Sequence, residues 1–324
     1  EVAMEFDGAT GVWTAASVDV SGKVWYQYAI SNGAETAYVC DLYARAASPD
    51  SVAARITDIS SDPETMPAGW SASYRNPFGA NGTEAKSYTE AVIYEMHIRD
   101  WSRAFVSDST GKFRDITAAL NETGGEFYEH LRDLGITHVQ ILPSFDYAET
   151  NSNIAYNWGY NPYHYDVPEG RYVDYEGTND GRKAVLQMRE MVQAFHDAGI
   201  AVNLDVVYNH TSGTQKGSLF DQTVPGYYYR MTSTGSYSNG SGCGNETASN
   251  TRMFKKYMIE SLLHWMNEYH MNGFRFDLMG LHESSTMKEI YEALSAVDPN
   301  VMVYGEPWTG GTSAVVNGAT KATI

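Results

Sequence analysis

The hydrophobic pattern of the chain changes at about residue 85. Before this point, apolar residues alternate with polar ones in short runs such as KVWYQYAI at residues 23–30, which predicts a single strand. TAYVCDLYARA at residues 36–46 predicts a second strand followed by a bend. Gly, Pro, Ser and Asp separate these runs. Residues 1–85 are therefore predicted to form part of a small β-sandwich, with the domain boundary in the loop at residues 76–88.

After the boundary, predicted strands and helices alternate. Short apolar runs predict strands at residues 91–98, 137–143, 200–210, 272–282 and 301–308. Apolar residues at helical spacing predict helices at residues 126–135, 183–199, 251–270 and 287–299. This alternation is typical of a parallel sheet whose strands are connected by helices.

Two folds contain such an alternation, the open doubly wound sheet and the closed (β/α)8 barrel. No glycine-rich phosphate-binding motif follows the first of these strands, which disfavours a dinucleotide-binding fold. Polar residues follow the strands at the ends where a TIM-type barrel builds its active site: His97, Asp205, Arg275, Asp277 and Glu306. We therefore predict an α/β fold in which residues 86–324 form about the first five strands of a (β/α)8 barrel. With five strands of eight and no initial methionine, the chain is expected to be truncated at both ends.

Composition and charge narrow the class of partner. The net charge of −18 would repel nucleic acid and an anionic membrane surface, so neither is an expected partner and a neutral substrate fits better. The 24 Tyr, 11 Phe and 7 Trp suit a protein that binds sugars, because aromatic rings cover the apolar faces of sugars. No apolar run is long enough to span a membrane. We expect a monomer, and the sequence assigns no cellular compartment.

Arg275 and Asp277 need an explanation because they lie two residues apart in an apolar stretch, NGFRFDLMGLH. Strand side chains alternate, so both point to one face, where burying a charge is costly. Taken alone, a structural ion pair explains them at least as well as catalysis. Glu306 ends the next predicted strand, about 4.8 Å away. Two carboxylates so placed suit retaining glycoside hydrolysis, which uses a separation of about 5–5.5 Å. Arg275 is then expected to lower the pKa of Asp277 and keep it ionised.

Four short motifs in the chain resemble those of a known family. DVVYNH (residues 205–210), GFRFDLMG (residues 273–280) and VYGEPW (residues 303–308) resemble motifs of the α-amylase superfamily, in the expected order. YNWGYNP (residues 156–162) resembles the signature of type I pullulanases. The resemblance implies hydrolysis of α-1,6-glucosidic branch points in pullulan or amylopectin, with an α-glucan as the partner. It also implies that the early β-module is similar to a starch-binding sandwich.

The resemblance further implies roles for single residues. Asp277 would be the nucleophile, Glu306 the general acid/base, and Arg275 the partner of the nucleophile. Tyr160 would stack on the glucose ring at the cleaved bond, and Asp205 and His210 would shape the site where that glucose sits. Trp158 and Trp308 would line neighbouring subsites, and His97 is a candidate for the pocket floor. No cofactor is required by this chemistry. Asn209 resembles a position that binds calcium in α-amylases, so the resemblance also allows a bound Ca²⁺.

The chain departs from the family pattern at one point. The family has a third active-site aspartate that follows a histidine after a later strand, whereas residues 196–197, His-Asp, lie on a predicted helix. The 324-residue chain is therefore expected to be inactive by itself.

Two other functions stay open: an amylase or neopullulanase acting on α-1,4 linkages, and a starch-binding protein without turnover. YNWGYNP and the preceding β-module favour debranching over the first, and the carboxylate pair argues against the second.

Overall fold

The amino-terminal region consists of short antiparallel strand pairs. The computed structural model describes residues 1–16, 18–33, 35–79, 86–107, 109–122, 124–150, 152 and 155–319. Its first strands are β1 (Glu5–Asp7), β2 (Val12–Thr14), β3 (Trp25–Tyr26), β4 (Tyr28–Asn32), β5 (Glu35–Val39) and β6 (Ala54–Arg55). They pair as β1 with β2, β3 with β6 and β4 with β5, and in the described residues these pairs do not merge into larger sheets.

One strand prediction in this region is wrong. The run at residues 23–30 is divided between β3, which pairs with β6, and β4, which pairs with β5. Alternation alone could not show that the chain changes partner at residue 27. The predicted domain boundary falls next to residues 80–85, which lie outside the described residues, so the division of the chain at residue 85 stays a prediction.

A five-stranded parallel sheet forms the centre of the remaining chain. Its strands, with a separate antiparallel pair, are β7 (Ile93–Met96), β8 (His138–Ile141), β9 (Phe145–Tyr147), β10 (Pro162–Pro168), β11 (Ala201–Val206), β12 (Gly273–Phe276) and β13 (Met302–Gly305). The sheet order is β13-β12-β11-β8-β7, and β9 pairs with β10. All five predicted strands are present, neighbours in the sheet follow chain order, and the α/β class is confirmed. Among the described residues, β7 and β13 are edges of an open sheet.

Seven helices are present in the described part of the chain. They are α1 (Ile98–Phe105), α2 (Phe113–Asn121), α3 (Glu126–Asp133), α4 (Arg182–Asp197), α5 (Leu219–Thr223), α6 (Arg252–Tyr269) and α7 (Ser284–Ser295). The four predicted helices correspond to α3, α4, α6 and α7. Gly135 and Gly199, at φ of 65° and 77°, follow α3 and α4, as expected for glycine at a helix end. No helix within the described residues combines the length and apolarity needed to cross a bilayer.

A buried arginine joins the amino-terminal region to two of these helices. The side chain of Arg189 on α4 is fully buried and lies 2.8 Å from the carboxylate of Glu268 on α6. Its Nη1 also donates to the carbonyl oxygens of Ile59 and Thr65, at 3.0 and 3.1 Å. The cost of burying this charge is offset because the guanidinium is paired and hydrogen-bonded, so the contact ties residues 59–65 to the helical layer.

The chain turns sharply where β12 ends. The apolar stretch at residues 272–282 was predicted as one strand, but the strand stops at Phe276. Leu278 adopts a left-handed conformation with φ of 42°, and Met279–Leu281 form a single 3-10 turn. The strand prediction is therefore wrong beyond Phe276. The turn leaves Asp277 at the carboxyl end of the sheet, where its amide donates to the carbonyl of Val206 at 3.0 Å.

Close backbone packing around β12 generates a stability prediction. A Cβ atom added at Gly273 would lie 2.5 Å from Asn203 Oδ1 and 2.7 Å from Met302 O, which belong to the two neighbouring strands. We expect Gly273→Ala to lower the free energy of unfolding by about 1–3 kcal/mol, because both strands must move apart. Gly217→Ala, where the added Cβ meets nothing within 4 Å, is the matched control. Equal unfolding midpoints in urea for the two variants would contradict this.

Candidate active site

Arg275 contacts three carboxylates at the carboxyl end of the sheet. Its Nη1 lies 3.0 Å from Asp205 Oδ1 and 3.3 Å from Asp277 Oδ1, and its Nη2 lies 2.6 Å from Glu306 Oε1. We call Arg275 and the three carboxylates that it contacts, Asp205, Asp277 and Glu306, the carboxylate cluster. The structure thus brings together the three residues predicted for the chemistry and adds Asp205 as a partner of the arginine.

Strand register explains this arrangement. Asp205 on β11 is the direct neighbour of Arg275 on β12. Asp277 and Glu306 are the first residues after β12 and β13, and the Glu306 amide donates to the carbonyl of Phe276 at 3.1 Å. Parallel strands end at the same edge of a sheet, so side chains that are far apart in sequence meet there. Asp205 is fully buried, whereas Asp277 and Glu306 keep 15% and 24% of their side-chain surface accessible.

The surroundings of Asp277 shift its pKa upward. Burial is the largest cause; the hydrogen bond from Asn209 and the charge of Arg275 oppose it, and the nearby Glu306 adds to the rise. Asn209 Nδ2 donates to Asp277 Oδ2 at 2.8 Å and to its carbonyl oxygen at 2.9 Å. The expectation that Arg275 lowers the pKa of Asp277 is right for this one interaction. It is wrong for the net shift, because burial outweighs the arginine.

Glu306 is held at both carboxylate oxygens. Oε1 accepts from Arg275, and Oε2 accepts from the Leu278 amide at 3.1 Å. The left-handed conformation of Leu278 belongs to the turn that carries this amide. A backbone donor of this kind has no signal in the sequence, so the contact between the turn after β12 and Glu306 was missed.

Tyr160 contacts both Asp205 and His210. The Tyr160 hydroxyl donates to Asp205 Oδ2 at 2.7 Å, which fixes the ring next to the carboxylate cluster. His210 Nε2 lies 3.0 Å from Tyr160 O, and Nδ1 lies 2.6 Å from Asn209 Oδ1. Burial lowers the pKa of His210 to about 4. A neutral imidazole has one N–H, so it can donate to only one of these two oxygens.

The other predicted residues lie outside this contact network. Trp158 is 59% exposed, and its Nε1 donates to the Tyr156 hydroxyl at 3.0 Å. Trp308 is 52% exposed and follows Glu306 by two residues. His97 is buried directly after β7, where its Nε2 lies 3.0 Å from both Asn157 O and the Tyr172 hydroxyl. In the described part of the chain, none of these contacts reaches the carboxylate cluster.

The described residues hold no group of three or more His, Cys, Asp or Glu side chains arranged to bind a metal ion. Asn209, the residue considered for calcium, instead uses its amide nitrogen on Asp277 and faces His210 with its oxygen. Asn209 was predicted only as a metal-binding residue, but it is a hydrogen-bond donor to Asp277. Its position beside His210 in the DVVYNH motif was the available signal.

Known proteins that are similar to this chain in sequence include pullulanases. No protein-family model matches the chain. It is 37% identical over 227 residues to the pullulanase of Bacillus subtilis (strain 168), which covers 68% of this chain and 31% of that protein. It is 30% identical over 392 residues to the pullulanase of Klebsiella pneumoniae, covering 96% of this chain and 35% of that protein. The chain thus spans about a third of the length of these relatives.

Solved structures agree over nearly the whole chain. The pullulanase from Bacillus acidopullulyticus superposes with a TM-score of 0.85 at 37% identity, covering 99% of this chain and 39% of that one. The pullulanase from Paenibacillus barengoltzii, in complex with maltohexaose and α-cyclodextrin, also has a TM-score of 0.85, at 34% identity, covering 99% of this chain and 49% of that one.

The environment of Asp205 generates a prediction of pH-dependent stability. Burial raises its pKa to about 7, although Arg275 and Tyr160 oppose the rise. In the unfolded chain its pKa is about 3.9. Between these values the folded state binds more protons, so stability falls as the pH rises from about 4 to 7. Asp205→Asn removes this contribution. We therefore expect the unfolding free energy of the variant minus that of the wild type to increase by up to about 1.4 kcal/mol for each unit by which the pH rises.

Urea unfolding of both proteins between pH 4 and 7 checks this slope. Asp133→Asn, which alters a surface carboxylate with 72% of its side-chain area exposed, is the control. It should follow the wild-type curve. If the Asp205→Asn curve runs parallel to the wild type as well, the proposed proton uptake at Asp205 is wrong.

Proposed function

Because the chain belongs to the pullulanase family over 96% of its length, we propose that it carries the acid pair of a retaining glycoside hydrolase that cleaves α-1,6-glucosidic branch linkages in pullulan, amylopectin and related α-glucans. One observation carries this proposal: Asp277 and Glu306, at the ends of adjacent parallel strands, both contact Arg275. A purely structural arginine would be satisfied by the fully buried Asp205, and would not need two further, partly accessible carboxylates.

The proposed reaction is a double displacement. Asp277 attacks the anomeric carbon while the glycosidic C–O bond breaks, and Glu306 gives its proton to the leaving oxygen. This step forms a glycosyl ester on Asp277. Glu306, now a carboxylate, takes a proton from water, and the water oxygen attacks the same carbon and releases Asp277. The sugar keeps its configuration because the carbon is inverted twice. These steps use carboxylates alone, so we propose that no cofactor is required. Ca²⁺ remains a candidate for a bound ion that takes no part in these steps.

Residues around the acids would bind the sugar. We assign Arg275 to orienting Asp277, and the Tyr160 ring, fixed by its bond to Asp205, to stacking on the glucose at the cleaved bond. Asp205 and His210 would shape the site around that glucose. Trp158 and Trp308 are exposed aromatic side chains suited to neighbouring subsites. His97 would support the pocket floor through Tyr172.

The fold of the complete enzyme follows from the same proposal. We assign the five parallel strands to a (β/α)8 barrel, because consecutive strands are neighbours and the polar residues gather at their carboxyl ends. Residues 1–85 would be part of a β-sandwich similar to starch-binding modules, and residues 86–324 part of the catalytic barrel. α-Glucans are supported as substrates by the pullulanase of Anoxybacillus sp. LM18-11, solved with maltotetraose and with maltotriose. We expect the protein to act as a monomer.

Removing either acid should abolish turnover of pullulan by the full-length protein. We expect Asp277→Asn and Glu306→Gln each to lower kcat by about 1,000-fold or more, because each loses a group that acts in the transition state. Asp133→Asn should keep wild-type activity. Release of maltotriose from pullulan is the measurement, since panose would instead indicate cleavage of α-1,4 linkages. Near-normal turnover by Asp277→Asn would refute the assignment of the nucleophile.

The stereochemistry of the first product tests the mechanism separately. A retaining enzyme releases the α-anomer at the new reducing end before it mutarotates. Proton NMR spectra recorded in the first minutes of pullulan hydrolysis should show the α-anomeric signal ahead of the β signal. If the β-anomer appears first, Asp277 does not form a covalent intermediate.

A further inference from the structure

We infer that Arg230 and Glu246 form a positioning clamp that holds Glu306 in place relative to Asp277 from outside the carboxylate cluster. The inference rests on the proposed function, since it concerns how the same acids are held. Arg230 Nη1 lies 2.7 Å from Glu246 Oε1, and the two side chains are 8% and 0% exposed. A buried ion pair is costly to form, so its position deserves an explanation beyond general stability.

The arginine reaches the loop behind the nucleophile. Arg230 Nη1 also donates to the carbonyl of Leu281 at 2.9 Å. Leu281 ends the 3-10 turn that starts two residues after Asp277. The same turn is joined to the acid, because the Gly280 amide donates to Glu306 O at 3.1 Å. Movement of Leu281 would therefore shift the turn whose Leu278 and Gly280 amides donate to Glu306.

The glutamate reaches the segment behind the acid. Glu246 Oε1 accepts from the hydroxyl of Ser313, seven residues after Glu306. Glu246 Oε2 accepts from Ser238 Oγ at 2.7 Å and from the Gly240 amide at 3.1 Å. All four groups that contact this carboxylate, including Arg230, are hydrogen-bond donors, as a buried anion requires.

Backbone packing makes this contact rigid. The Gly311 amide donates to Gly240 O at 2.7 Å. Gly310 lies so close to the carbonyl of Ser241 that no Cβ atom fits between them. The loop at residues 238–246 and the segment at residues 310–313 therefore pack directly against each other, and Glu246 is the charged residue at their contact.

The residues flanking Glu246 reach a third part of the site. The Thr247 amide donates to Asn209 O at 3.0 Å, and Asn245 Nδ2 donates to Thr211 O at 2.7 Å. Asn209 is the residue that donates to Asp277 Oδ2. The clamp thus touches the loops after β11, β12 and β13. None of its own described contacts is with a side chain of the carboxylate cluster, so it acts through these loops.

The choice of substrate separates positioning from general stability. Glu306 must protonate the leaving sugar oxygen of pullulan, whereas fluoride leaves with little help from an acid. The constant kcat/KM covers the steps up to loss of the leaving group. A variant in which Glu306 is misplaced should therefore lose kcat/KM on pullulan but retain most of it on α-maltotriosyl fluoride. A variant that is only less folded should lose both equally.

The test variant is Glu246→Gln in the full-length protein. Its amide would point N–H groups either at Arg230 and Ser313 or at Ser238 and Gly240. The serine hydroxyls can turn to accept, but the contact with Arg230 or with the Gly240 amide must break, because both are donors only. We expect kcat/KM on pullulan to fall about 100-fold and kcat/KM on the fluoride to fall less than about 5-fold. Glu268→Gln breaks the buried ion pair with Arg189 away from the site and should change the ratio of the two constants less than about 2-fold.

Arg230→Lys provides a second variant that keeps the charge, in case Glu246→Gln does not fold, and thermal unfolding is measured for each. An equal loss on both substrates, or a ratio equal to that of Glu268→Gln, overturns the clamp while leaving the proposed function intact. Failure of both clamp variants to fold also overturns it, since the pair is then structural. A folded wild-type protein that does not hydrolyse pullulan overturns the proposed function, and the clamp with it.

Discussion

The contact of one arginine with three carboxylates is the constraint on which the site depends. Arg275 compensates one negative charge, so Asp205, Asp277 and Glu306 repel each other while they compete for the same guanidinium. Burial, with a smaller contribution from this repulsion, raises the pKa values of Asp205 and Asp277. The arrangement persists only because the parallel register of β11, β12 and β13 holds the four side chains at one edge.

The sheet can hold them only if its strands end abruptly and pack closely. Gly280 lies against the backbone of Trp308, and Gly305 against that of Phe276, where a larger residue would clash. The turn after β12 supplies a backbone amide to Glu306. Behind these turns, the ion pair of Arg230 and Glu246 joins residues that are 51 and 67 positions apart in sequence, through Leu281 and Ser313. Backbone contacts of the turns after β12 and β13 therefore help to position the two acids.

Several elements could be predicted because they rest on local patterns. The helices α3, α4, α6 and α7 have apolar stripes, and the five parallel strands are short apolar runs between them. Other elements could not. Only His97 separates β7 from helix α1, which was not predicted, and its first residue, Ile98, was included in the predicted strand at residues 91–98. The run at residues 23–30 changes pairing partner, and the stretch at residues 272–282 leaves its strand at Phe276. Periodicity does not report either event.

The sequence by itself determined the α/β class, the order of the strands and the two acids at their ends, because hydrophobic period and motif residues are properties of neighbouring positions. Only the tertiary structure decided that Arg275 binds Asp205 as closely as Asp277, that Asn209 bonds to Asp277, and that the pKa of Asp277 rises. These outcomes depend on burial and on donors from distant segments. Burial is a property of the packed chain, so no local pattern contains it.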